Sequence, residues 1–349
     1  MKAFDINTWV RPSVQGLQPY SSARDEFKGA DTEMVFLDAN ENPFENGVNR
    51  YPDPQQRDLK RYLAEQRGLR SGQLLLGNGS DEVLDLIFRA FCEPNVDNII
   101  TLPPTYGMYK VLSGINAIAN REVLLNERFE PDVKAILNRV DPNTKILFLC
   151  SPNNPTGNVF NRDTVAELLQ KFQGLVVIDE AYIDFTQQPS WTMELDNYPN
   201  LIVTQTLSKA YGMAGIRLGI CIASKAIIEV LNKIKPPYNV NALTQSKALQ
   251  GLRSQRRSSE VLHILEEREQ LAKALETVRF VKKTFPTEAN FILARVDDAD
   301  RRYDELLKLG IVVRNRSSHA RCENTLRFTI GTKEENKLLL EALKQLDNG

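Results

Sequence analysis

Apolar runs at residues 145–150, 175–178, 201–203 and 218–223 leave few folds open to this chain. None shows the every-second-residue alternation of a strand with one wet face, and helical segments such as 163–172 separate them. Near-continuous apolar strands alternating with helices predict a parallel sheet covered on both faces. A shorter strand at 98–102 and a helix at 109–115 continue the pattern upstream. Before them lie an amphipathic helix at 55–67, with Leu59 and Leu63 on one face, and a helix opened by Gly77-Asn78-Gly79-Ser80-Asp81-Glu82. Ser80 is the natural N-cap there, and Val83, Leu86, Ile87, Ala90 and Phe91 form the buried stripe. In doubly covered sheets ligands bind beyond the carboxyl ends of the strands. Tyr106, Asn154, Asp179 and Lys209 all fall at or just after such ends, which predicts one crevice built from four distant segments.

The last eighty or so residues change style. A long helical stretch at 241–277, rich in Leu, Glu and Arg, leads into strands near 280–285, 289–296, 311–314 and 325–330, with helices at 299–309 and from about 333. Short strands with helices at their ends read as a small α+β domain. With 349 residues, length also suggests about two domains. A net charge of −1 argues against nucleic acid or an anionic membrane as the main partner, and no apolar run approaches membrane-spanning length. The chain has two histidines, His263 and His319, and four scattered cysteines without a C-x-x-C pair, so no metal site is expected. Scattered thiols and Asp5, where a signal peptide would be apolar, predict a cytoplasmic protein.

Chemistry concentrates in Thr204-Gln-Thr-Leu-Ser-Lys-Ala-Tyr-Gly-Met-Ala-Gly-Ile-Arg-Leu-Gly219. Thr206, Ser208 and Arg217 make a phosphate site, Lys209 near other cations makes a nucleophilic amine, and Gly212, Gly215 and Gly219 let the backbone turn and approach a ligand. A Ser-Lys on a surface loop is the plainer alternative. The Gly-rich turn at 77–82 is either an ordinary capped helix or a second set of phosphate-binding N–H groups. Asp179 ends an apolar run, where a carboxylate needs a cation or a strong donor. Magnesium would call for a P-loop, which is absent; a protonated pyridine nitrogen is an equally good partner. With the amide of Asn154 and the flat face of Tyr106, these groups fit pyridoxal 5′-phosphate.

Ser151-Pro-Asn-Asn-Pro-Thr-Gly157, Val177-Ile-Asp-Glu-Ala-Tyr182 and the Lys209 segment resemble the fold-type I pyridoxal-phosphate aminotransferases. Leu37-Asp-Ala-Asn-Glu-Asn-Pro43, Asn49-Arg-Tyr-Pro-Asp53, Pro103-Pro-Thr-Tyr-Gly-Met-Tyr109 and Leu326-Arg-Phe-Thr-Ile-Gly-Thr332 resemble, more narrowly, the histidinol-phosphate aminotransferases. The resemblance implies a large cofactor-binding α/β domain over 46–269 with a mostly parallel seven-stranded type of sheet. It implies a second part made of residues 1–45 and 270–349, an N-terminal arm plus a small α+β domain. Lys209 would carry the cofactor covalently and shuttle the proton between the substrate Cα and the cofactor C4′. Asp179 would hold the ring nitrogen proton, Asn154 and Tyr182 the ring hydroxyl, and Tyr106 would stack on the ring. The cofactor phosphate would take Ser80, Asp81, Thr206, Ser208 and Arg217, with Tyr51 reaching across a homodimer. Substrate anions would meet Arg314 and Arg327, with Tyr20 and Asn42 at the mouth; without the family, Tyr20 and these two arginines read as solvated surface. Arg316, His319 and Arg321 make the intervening loop more basic than the pattern requires. The implied reaction moves an amino group between L-histidinol phosphate and 2-oxoglutarate, in histidine biosynthesis. An aromatic amino acid aminotransferase and a threonine-phosphate decarboxylase are the alternatives. A regulator that binds the cofactor without catalysis would need a DNA-binding module, for which the chain has no basic segment.

Overall fold

The structure, a computed structural model, describes residues 4–19, 34–254 and 256–348. Strands β1 (Leu74–Asn78), β2 (Asn98–Thr101), β3 (Ala119–Glu122), β4 (Thr144–Cys150), β5 (Leu175–Asp179), β6 (Leu201–Thr206) and β7 (Leu218–Ala223) make one sheet in the order β1-β7-β6-β5-β4-β2-β3. Strands β8 (Val281–Thr284), β9 (Phe291–Val296), β10 (Arg314–Asn315) and β11 (Thr325–Thr329) make another, in the order β10-β11-β9-β8. A mostly parallel seven-stranded sheet with helices, plus a smaller sheet, is the expected fold class. One strand departs from the expected direction: β7 runs antiparallel to both β1 and β6. The connection from β6 to β7, residues 207–217, holds only the 3-10 turn Ala214–Ile216, too little for the crossover helix that a parallel return needs.

The chain divides into two compact units. The first takes the described residues up to Asp97, together with Leu112–Ala119 and Trp191–Ser254. In it the helix Ser80–Phe91 packs on β1, β6 and β7, and Val83, Leu86, Ile87, Ala90 and Phe91 of the expected stripe are all buried. Each large apolar side chain buried this completely is worth roughly 1.5–3 kcal/mol. The N-cap is Gly79, with φ +81°, and Ser80 is the first helical residue. The expected continuous helix over 241–277 is two helices. Ala242–Arg253 stops at Ser254, whose backbone is extended and whose hydroxyl and N–H both bond the Gly251 carbonyl, satisfying one open acceptor of the last turn.

The second unit takes Asn98–Val111, Asn120–Ser190 and the described residues from 256 onward. β2, β4 and β5 run parallel here. The smaller sheet packs against the helices Arg256–Leu275, Ala299–Lys308 and Lys333–Asn348 through a core that includes Leu271, Ile292, Leu326, Phe328 and Leu343. Leu326 and Phe328 enter this core from one face of β11, so Arg327 between them stands on the other. The strand expected at 311–314 is only the two-residue β10; Val312 is 77% exposed, so the apolar look of 311–313 does not translate into pairing.

Candidate active site

In the first unit, the start of the helix Ser80–Phe91 carries no side-chain cap, and a helix start of this kind favours an anion. Arg217 lies against this start. The Gly79 N–H donates to the Arg217 carbonyl at 2.8 Å, and a Cβ on Gly79 would sit 2.5 Å from Arg217 Nη2. The Arg217 guanidinium also stands 3.9 Å from the Asp81 carboxylate. Below it, a Cβ on Gly219 would lie 2.3 Å from the Ser80 nitrogen, so only glycine lets β7 pass this close. Thr206 Oγ1 donates to Ser208 Oγ at 3.0 Å and accepts from the Ser208 N–H at 3.1 Å. Lys209 follows at once, at an exposed position of the same turn, where its carbonyl accepts from the Gly212 N–H at 3.0 Å. Gly215 has open space around it, in contrast to Gly79 and Gly219. A helix start, a guanidinium and two hydroxyls in one unit are the donor set that a phosphate dianion takes.

Tyr51, also in the first unit, is half-exposed, and its ring stacks on Tyr238 with centroids 4.5 Å apart. Its N–H donates to Glu41 at 2.6 Å, and Arg50 pairs with the same carboxylate. Asn42 is exposed and turns its side-chain oxygen back to the Phe44 N–H at 3.0 Å. Tyr20 lies outside the described residues.

In the second unit the chemistry is buried and tied down by side chains. Asp179, 3% exposed at the end of β5, accepts a 2.8 Å hydrogen bond from the Tyr109 hydroxyl and one from the Ala181 N–H. Tyr109 is fully buried, stacked on Phe148, and forms a T-shaped pair with Tyr106, centroids 5.6 Å apart. Burial, reinforced by the Asp179 charge, raises the Tyr109 pKa well above its ordinary value, so the phenol keeps its proton and donates. Sequence reasoning placed Tyr109 only in a helix. The signal was available, since a tyrosine on an apolar helical stripe needs a partner for its hydroxyl.

Asn154 is held at both ends of its amide. Its oxygen accepts from Arg327 Nη1 at 2.6 Å, and its nitrogen donates to the Tyr182 hydroxyl at 3.4 Å. The Arg327 guanidinium lies 5.0 Å over the Phe291 ring, which also forms a T-shaped pair with Tyr182. Burial pushes the Tyr182 phenol up and the Arg327 guanidinium down. Asn153, wholly buried, bonds the Pro104 carbonyl and Thr105, tying the loop after β2 to the loop after β4. Arg314 stands directly opposite Arg327 in the β10–β11 register. A buried carboxylate suits a protonated ring nitrogen, so the donor sets of the two units, each by itself, fit the two charged ends of a phosphorylated pyridine.

Among the described residues no group of His, Cys, Asp and Glu is arranged to hold a metal ion, and no helix is long and apolar enough to cross a membrane. The family model described as aminotransferase class I and II matches residues 27–343. The histidinol-phosphate aminotransferase of Flavobacterium johnsoniae is 64% identical over 349 residues, covering 99% of this chain and 100% of its own. Among solved structures, the histidinol-phosphate aminotransferase of Clostridium acetobutylicum superposes with a TM-score of 0.80 at 27% identity, covering 86% of this chain and 91% of its own. That of Sinorhizobium meliloti, in complex with pyridoxal-5′-phosphate, gives 0.78 at 23% identity over 86% and 83%.

Proposed function

The chain belongs to the class I and II aminotransferases, and we propose that within them it transfers an amino group between L-histidinol phosphate and 2-oxoglutarate, in histidine biosynthesis. The observation that carries this reading is whole-length likeness, at well over half identity, to proteins bearing that activity in their names. The arginines of the second unit support it, because both substrates are anions. The aromatic aminotransferase and the threonine-phosphate decarboxylase lack comparable support.

Pyridoxal phosphate, when bound, supplies an electron sink for the pair left behind as the substrate Cα loses its proton. The remaining work falls to this chain. Lys209 Nζ would hold the cofactor, and its amine would take the substrate Cα proton and return it. The Asp179 carboxylate keeps the ring nitrogen protonated, and Tyr109 holds that carboxylate in place. Asn154 and Tyr182 donate to the ring hydroxyl, and Tyr106 offers a face to the ring. Ser80, Asp81, Thr206, Ser208 and Arg217 hold the cofactor phosphate, and Arg327 and Arg314 hold substrate anions, with Tyr20 and Asn42 at the mouth. The chain works in the cytoplasm, with 46–269 as the large domain and 1–45 and 270–349 as the smaller part. It acts as a homodimer in which Tyr51 serves the partner's cofactor phosphate. Exposed Val35, Leu37, Phe44 and Val48 and an open cleft of about 620 Å³ beside Tyr51 support this.

Assays of the purified protein with histidinol phosphate, phenylalanine and threonine phosphate side by side test the reaction. The highest kcat/KM is expected with histidinol phosphate; a higher value with phenylalanine, or carbon dioxide release from threonine phosphate, would overturn it. For the dimer, Lys209→Ala chains mixed with Tyr51→Phe chains should regain activity on subunit exchange, since one site of each mixed dimer carries neither lesion.

A further inference from the structure

The second unit carries more positive charge beside Asn154 and Tyr182 than the family pattern assigns. Like charges placed directly opposite, as Arg314 and Arg327 are, destabilise a strand pair. Arg316 follows two residues later, anchored by its N–H to the Thr325 carbonyl at 2.9 Å. Among the described residues no ion pair includes any of these three arginines. The Nε atoms of Arg316 and Arg327 are also buried without an acceptor. An unpaired buried donor is costly, and more so on a cation, so the cluster is built for a ligand rich in acceptors. Burial, then the charges of Arg327 and Arg314, bring the Arg316 pKa down to about 10, which leaves it charged at neutral pH.

His319 gives Arg316 its direction. Arg316 Nη1 stands 3.5 Å from His319 Nε2, and a guanidinium can only donate, so Nε2 is the acceptor and the ring proton sits on Nδ1. Burial first, then Arg316, Arg327 and Arg314, lower the His319 pKa, and the ring stays neutral and able to accept. Arg321, an equal candidate from sequence, also has a buried Nε without an acceptor, but it is not among the charges acting on either residue, and its carbonyl is engaged by Arg295 at 3.1 Å.

We propose that Arg316, oriented by His319, reads the substrate phosphate and so sets the preference for a phosphorylated amine over an unphosphorylated one. This rests on the proposed transamination of histidinol phosphate. Arg327 stands rigidly on β11 and serves either anion; Arg316 adds the second planar fork that a dianion can use and a carboxylate cannot.

The test compares kcat/KM of the holoenzyme for histidinol phosphate and for histidinol, the same amine without its phosphate. Arg316→Gln should lower the ratio of the two about tenfold to a hundredfold, mostly through KM. Should that variant fail to fold, Arg316→Lys, which keeps charge and loses the fork, should lower the ratio in the same sense by less. His319→Leu should lower it about threefold to tenfold, and His319→Gln, which retains an acceptor, should restore it. An unchanged ratio in the Arg316 variants, or equal loss with both amines, overturns the proposal. If the parent enzyme does not turn over histidinol phosphate, the proposed function fails separately. Inorganic phosphate, titrated into the holoenzyme and followed by cofactor absorbance, then decides for Arg316. Weaker binding in Arg316→Gln upholds the anion role, and equal binding overturns it.

Discussion

The first unit presents its proposed anion-binding groups as a helix start without a side-chain cap, a half-exposed Arg217 and two hydroxyls bonded to each other. In the second unit, Asp179, Tyr109, Asn154, Tyr182 and Arg327 are each fixed by a named side chain or ring, in surroundings from which water is largely excluded. The difference matches the two tasks proposed for them. A phosphate dianion is satisfied by many donors of roughly correct direction, and small shifts cost little. A carboxylate that must hold one proton on one ring atom requires a single geometry, which only a locked neighbourhood supplies. Under the proposed roles, the first unit serves affinity and the second rate, with Lys209 the exception.

Lys209→Ala tests that exception and should have the largest effect. Turnover should fall by about ten-thousandfold or more, and borohydride should no longer fix the cofactor to the chain; labelling of another lysine would remove Lys209 from its role. Next comes Asp179→Asn. A neutral amide cannot hold the pyridinium proton, so kcat should drop roughly thirtyfold to several thousandfold while absorbance shows the cofactor still bound. Arg217→Gln should do the reverse, weakening cofactor affinity about tenfold to a hundredfold in equilibrium dialysis while kcat at saturating cofactor stays within about threefold. A fall in kcat with unchanged affinity would erase the contrast between the units. Smallest is Tyr109→Phe, which removes one neutral donor from Asp179. Loss of about 1 kcal/mol, or roughly fivefold in kcat, is expected without change in cofactor affinity. An effect as large as that of Asp179→Asn would make Tyr109 more than a support.

Much of this was legible in the residues, for physical reasons that also mark where reading stops. The apolar runs of β4, β5, β6 and β7 predicted buried strands because burial on both faces leaves no alternation. They could not give direction, since an apolar run reads the same both ways; the short β6–β7 connection carried that information. Polar residues after apolar runs singled out Asp179 and Lys209 as candidates, and the structure places Asp179 buried at the end of β5 and Lys209 in the turn after β6. Tyr109 was hidden because a tyrosine on a helical stripe looks like packing until its hydroxyl partner is found some seventy residues away. The break at Ser254 has no proline to announce it, and Val312 reads as strand although it faces solvent. Arg316 and Arg321 were indistinguishable on the page because both sit in one basic loop; folding separated them.

The two-residue β10 joins opposing tendencies: ladder hydrogen bonds hold it to β11, while Arg314 and Arg327 repel across the same pair. Such a strand is a low-cost opening unit, and its amide protons report on charge rather than on global unfolding. The Arg316 amide, bonded to Thr325, should exchange with solvent deuterium faster than the amides of β9 in dilute buffer, and slow selectively as phosphate is added. The edge of the small sheet would then act as a local gauge of bound anion, readable without any turnover at all.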